Sequence, residues 1–72
     1  MKLDEIPPWR LFRVSEAMEL LSMSRSVIYE QLRSGRLRSV HQGRARLIPA
    51  SAIAAYVQLL TDETGNRYER TA

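Results

Sequence analysis

The stretch Ser24–Arg46, SRSVIYEQLRSGRLRSVHQGRAR, decides how the chain is read. Its first half has helical chemistry. Ser24 is a good N-cap, able to cover the orphan amides of residues 26 and 27. Ile28 and Leu32 stand four apart on one face and are expected in the core. Ser26, Val27, Glu30 and Arg33 fall on a different side, with Tyr29 at the edge between the faces. Gly35 ends the helix in a left-handed cap, and Arg33 sits near the negative end of the dipole. The second half has ribbon chemistry. Leu37 and Val40 bracket a first strand, and His41-Gln42-Gly43 is the expected turn. Gly43 supplies the positive φ that a tight hairpin needs. Arg44–Ile48 returns as the second strand. Arg44 and Arg46 share one side of it, because side chains alternate, and Leu47 is expected on the other side, toward the core. Strands this short must pack on the helices to persist.

The charge is concentrated in the same stretch. Six arginines (25, 33, 36, 38, 44 and 46) stand against one acid, Glu30, so it is +5 while the whole chain is +3. The remaining residues therefore sum to −2. A positive patch on a helix-plus-ribbon unit, rather than spread over the surface, implies a polyanionic partner, with duplex DNA the first expectation.

Working toward the N-terminus, Ser22-Met23-Ser24 reads as a turn and Ser15 as the start of an earlier helix. Ser15 is the expected N-cap, and Glu16 and Glu19 follow where the macrodipole favours acids. Ala17, Met18, Leu20 and Leu21 form its apolar stripe. Leu11–Val14 is expected as a short strand beside the ribbon. Residues 1–10, with Pro7-Pro8, read as an extended arm anchored on the core by Trp9, or as a floppy leader. Toward the C-terminus, Pro49 and Ser51 announce a third helix, with Ser51 as its cap. Ile53, Tyr56, Val57 and Leu60 recur at helical spacing and close the core. Residues 61–72, TDETGNRYERTA, have no apolar period and carry turn chemistry at Thr64-Gly65-Asn66, so a flexible polar tail is expected.

Seventy-two residues make one small domain with a modest core. The expected architecture is mainly α with a small β-hairpin, a winged helix-turn-helix of three helices and a two-stranded wing spanning residues 11–60. The absence of cysteine rules out disulfides and thiolate metal sites, and one histidine cannot build a zinc site unaided. No cofactor or metal is expected. No enzyme is expected either, since nucleophile, base and orienter find no recognisable constellation. No apolar run reaches the roughly 20 residues of a membrane span. The expectation is a cytoplasmic protein, nucleoid-associated when bound to DNA.

The run FRVSEAMELLSMSRSVIYEQLRSGRLRSVHQGRARLIPASAIAAYV resembles the excisionase-type DNA-binding domain, a winged helix-turn-helix of the MerR-like superfamily. The resemblance rests on the helix Ser15–Leu21, the segment Ser24–Tyr29, the stop Ser34-Gly35-Arg36-Leu37, the wing Gly43–Arg46 and the run Ile48–Ile53. It covers about Phe12 to Leu60. It implies a DNA-binding protein without catalysis, with the second helix in the major groove and the wing along the minor groove or backbone. Many such proteins are excisionases. These recombination directionality factors bend attachment-site DNA and direct a separate site-specific integrase to excise a mobile element. Others are small transcription regulators. A regulator that senses an effector needs a dimerisation helix or sensor domain, and the chain is read as too short for either, which favours the architectural factor. Glu30 and Gln31 depart from the family pattern, standing where a basic and an apolar residue are frequent.

The recognition-helix candidates are Ser24, Arg25, Ser26, Val27, Tyr29, Glu30 and Arg33. Ser26, Val27 and Glu30 are expected at base edges, Val27 against a thymine methyl group and Glu30 either accepting from a cytosine amino group or facing away from the phosphates. Arg25 is expected on guanine or phosphate, and Tyr29 and Arg33 on phosphate oxygens. The wing candidates are Arg38, His41, Gln42, Arg44 and Arg46, with Arg44 and Arg46 following the backbone or entering a narrow minor groove. Arg36, Arg38 and His41 are the weaker candidates. One module of this size buries only about 600–1,000 Å² on DNA, so several copies are expected to bind cooperatively.

Overall fold

A computed structural model describes residues 5–71; Met1–Asp4, the start of the expected arm, and Ala72 lie outside the described residues. The elements run β1 (Leu11–Arg13), α1 (Val14–Leu21), α2 (Arg25–Ser34), β2 (Val40–Gln42), β3 (Ala45–Pro49) and α3 (Ala50–Thr71). The strands form an antiparallel sheet in the order β1-β3-β2. The fold is therefore mainly helical, with three helices and a small sheet whose outer hairpin, β2–β3, is the wing. Leu11–Arg13 lies beside the ribbon as expected, with Phe12 opposite Ile48.

One core joins all the elements but β2. Phe12, Val14, Ala17, Ile28, Leu37, Ile48, Ala50, Ile53 and Tyr56 are buried together, and Leu32, Val57 and Leu60 pack against them. Tyr56 Oη donates to Met23 Sδ at 3.8 Å, tying α3 to the turn between α1 and α2.

The local signals around α2 hold. Ser24 Oγ accepts from the Val27 amide at 3.3 Å and lies 3.3 Å from Ser26 Oγ. Gly35 takes φ 83°, donates to the Leu32 carbonyl at 3.3 Å, and lets Leu37 donate to Gln31 O at 3.1 Å. That pair of bonds closes the helix end around the left-handed Gly35, and it brings the Leu37 side chain into the core. Ser24→Ala is expected to cost about 1 kcal/mol, a fall of roughly 4–8 °C in melting temperature read by far-UV circular dichroism.

Five local expectations are corrected. First, α1 begins at Val14 with Arg13 as N-cap, not at Ser15. Glu16 reaches back to accept the Arg13 amide at 2.8 Å, and burial of Val14 forces the chain to turn as soon as β1 ends. Second, the first wing strand is Val40–Gln42 and the turn is Gly43-Arg44, so His41 and Gln42 are strand residues. Leu37 is not a strand residue because the close of α2 consumes it. Gly43 does take positive φ, 61°. Third, Ile48 rather than Leu47 faces the core, since Ile48 pairs with buried Phe12. Leu47, opposite Arg13 and Val40, looks to the outer face.

Fourth, α3 starts at Ala50 without Ser51 as its cap. The carbonyls of residues 8 and 10 satisfy its first amides: Ala50 N donates to Arg10 O at 2.7 Å and Ser51 N to Pro8 O at 3.1 Å. The segment read as an arm is thus built into the fold from residue 6 on. Ile6 packs on the core, while Trp9 is 77% exposed and anchors nothing. Fifth, α3 continues through the segment expected to be a flexible polar tail, to Thr71. Contacts past residue 60 accompany its course: Thr61 Oγ1 donates to Val57 O at 2.8 Å, Gln58 Nε2 donates to Asp62 Oδ1 at 2.9 Å, and Arg36 pairs with Glu63.

Candidate nucleic-acid interface

The turn Ser22–Ser24 sets how α2 leaves α1. Ser22 takes the left-handed conformation at φ 54°, uncommon for a residue other than glycine, and donates to Glu19 O at 3.3 Å. Met23 N donates to Met18 O at 3.0 Å. This closes α1 in one step, and Ser24 opens α2 at once.

On α2, Ile28 is wholly buried and Leu32 and Gln31 are half-buried. Ser26, Tyr29, Glu30 and Arg33 are all exposed. Their spacing of three, four and seven residues puts them on one face of the helix, opposite Ile28. Tyr29 is 37% exposed and belongs to this outer face rather than to the edge of the core. Val27 is half-buried on the flank. Ser24 and Arg25 are exposed at the N-terminal end, where the amides of the first turn point outward. The exposed face thus carries a hydroxyl, a phenol, a carboxylate and a guanidinium, a set suited to hydrogen bonding with base edges and phosphates.

The wing adds a second set. His41 and Arg46 are cross-strand partners. Arg46 shares its sheet face with Ile48 by alternation, so the pair extends the core-facing side of the sheet past the core itself. His41 is exposed and Arg46 half-buried. Arg44 stands in the turn at the tip, and Arg38 lies exposed on the lead-in to β2. Gln42 is exposed on the opposite sheet face, opposite Ala45. That outer face also carries Leu11, Val40, Leu47 and Pro49, with Leu11 42% and Val40 41% exposed.

Among the described residues, Arg25, Arg33, Arg38, Arg44 and Arg46 make no ion pair. Five such cations close to one carboxylate, Glu30, keep the helix-plus-wing unit electropositive. Arg36 is different. Its Nη1 and Nη2 donate to the two oxygens of Glu63 at 3.0 and 2.9 Å, and its Nε donates to Gln31 Oε1 at 2.9 Å. The hydrogen bonds to Glu63, and then the charge of Glu63, raise its pKa above the ordinary arginine value. The sequence offered no signal for this pair, whose members stand 27 residues apart.

No group of three or more His, Cys, Asp or Glu side chains that could hold a metal ion occurs among the described residues. No helix among them is long and apolar enough to cross a membrane. A family model described as a helix-turn-helix domain matches residues 11–58, two-thirds of the chain. No curated protein and no solved structure matches.

Proposed function

We propose that this chain, which belongs to the helix-turn-helix domain family, is a sequence-specific, DNA-bending excisionase. In this reading it binds attachment-site DNA cooperatively and directs a site-specific integrase toward excision of a mobile element. The family includes excisionase-like DNA-binding domains. The observation that carries DNA binding is the pairing of an exposed polar face on α2 with unpaired arginines on the wing. A helix of this width fits the major groove, and arginines on a projecting ribbon suit the backbone or a narrow minor groove. Ser26 and Glu30 read bases, Tyr29, Arg25 and Arg33 hold phosphates at the groove edge, and Arg38, His41, Arg44 and Arg46 track the adjacent backbone. The small footprint of one module supports binding in several copies.

A gel-shift titration with circularly permuted probes from both ends of the mobile element, run with and without the neighbouring integrase, tests the whole reading. Bent, cooperative complexes that recruit the integrase support it. Straight DNA and independent sites would remove the excisionase and leave a DNA-binding domain. In the same assay, Ser26→Ala and Glu30→Ala are expected to change the ranking among sites, by roughly 1–3 kcal/mol at the base pair read, more than they change overall affinity.

A second reading, a small transcription regulator, is supported by α3. At 22 residues this helix runs well past the core it closes. Its added length is what a helix pairing with a second copy would need. Tight binding confined to a promoter and indifferent to integrase would favour the regulator.

A further inference from the structure

Arg36 joins the C-terminal end of α2 to the second half of α3, and it sits at the edge of the surface just described. It lines a shallow cleft with Glu30, Gln31, Arg33 and Ser34. Arg33 and Arg36 are thus the two cations of one cleft, and of the two it is Arg36 that is paired with a carboxylate. That partner is bound bidentately, at 2.9 and 3.0 Å, by the planar guanidinium fork. A fork that accepts a carboxylate in this way accepts a phosphate with the same geometry. The pair is also open to water, with the Arg36 and Glu63 side chains 37% and 47% exposed. Its bidentate geometry makes it better than a typical surface ion pair, but exposure to water and salt leaves it open to exchange for a competing anion.

We propose that Arg36 is a phosphate ligand masked by Glu63, and that DNA displaces the carboxylate when α2 enters the groove. The proposal rests on the reading of α2 and the wing as a DNA interface and adds a regulated contact to it. Glu63 holds the guanidinium in a phosphate-ready geometry while lowering affinity for any duplex. Gln31 Oε1 keeps the Nε end of the fork in place during the exchange. Release of Glu63 also uncouples the end of α3 from α2, so occupancy of DNA and the tethering of α3 become linked.

The test uses the full chain and a random-sequence duplex, with affinity read by fluorescence anisotropy over a salt series. Glu63→Gln keeps helix propensity and removes the competing charge. Asp62→Asn is the control. It deletes the same charge one residue away, from a carboxylate bonded to Gln58 at 2.9 Å, and leaves the Arg36 pair intact. Glu63→Gln is expected to tighten binding about three- to tenfold at low salt, with Asp62→Asn giving under about twofold. In an Arg36→Ala background the gain from Glu63→Gln disappears. Adding Arg36→Ala to Glu63→Gln lowers the log–log salt slope by about 0.9, the signature of one lost phosphate contact. Equal effects of Glu63→Gln and Asp62→Asn, or a gain that survives Arg36→Ala, overturn the masked ligand while the DNA interface stands. No binding by wild type or Glu63→Gln even near 20 mM salt, where the Debye length exceeds about 20 Å, overturns both.

Discussion

Ile28→Ala is expected to unfold most of the domain's stability margin. Ile28 has no exposed surface and is the one fully buried side chain within α2. Leu32, one turn on, is only half-buried, and the next deep anchor is Leu37, beyond the helix stop. The attachment of α2 therefore depends on one isoleucine touching the shared core. Truncation there costs about 2–5 kcal/mol, since the lost transfer energy is joined by the cavity left behind. At roughly 0.05–0.15 kcal/mol per residue, a chain of 72 residues holds only about 4–11 kcal/mol in all. The melting temperature should fall by roughly 10–30 °C. Circular dichroism melts of wild type and variant measure this directly. An unchanged melt would mean that α2 presents a different face to the core. The whole assignment of Ser26, Tyr29, Glu30 and Arg33 to the outer face would then fail with it.

The second large effect is on DNA affinity and leaves the fold alone. Removing both wing charges at Arg44 and Arg46 is expected to weaken binding by roughly one to two orders of magnitude and to lower the log–log salt slope by about 1.8. Arg44 lies exposed in the turn, so Arg44→Ala should move stability by less than about 0.5 kcal/mol. Arg46 is half-buried, and its aliphatic stem contributes packing that alanine would remove. Arg46→Gln keeps much of that stem and removes only the charge. The loss should be uniform across duplex sequences, because contacts to phosphate carry no base information. Anisotropy titrations of the double variant against several duplexes, each over a salt series, provide the check. A loss confined to one sequence would show that the wing reads bases, and the roles given to α2 and the hairpin would exchange.

These two forecasts differ in what they draw from the chain itself. The face of α2 follows from spacing within one helix, and the wing charge follows from composition. Both were legible before any coordinates. So were the Ser24 cap, the left-handed stop at Gly35 and the positive φ at Gly43. Each depends on residues within about four positions, where local sterics and hydrogen bonding decide. The order of helices, turn and hairpin followed from the same local chemistry, whereas the place of β1 beside the hairpin was expected only by analogy with other winged helix-turn-helix units.

What the sequence left open needed a partner from far along the chain. Leu47 and Ile48 are adjacent and equally apolar, so alternation alone permits either to face inward; pairing of β3 with β1 through Phe12 selects Ile48. Ser51 looked like the cap of α3 because serine caps locally, but carbonyls of residues 8 and 10, some forty positions earlier, take the amides instead. Thr64-Gly65-Asn66 carries turn chemistry, yet α3 runs through it, with Glu63 fastened to Arg36 across 27 residues. The sequence by itself determined the order of the elements, the buried face of α2 and the location of positive charge, because those follow from interactions between near neighbours. The tertiary structure alone decided which strand residue faces inward, how α3 is capped, how far it extends and which arginine is held by a carboxylate. Each of those outcomes is a contact between segments that only folding brings together.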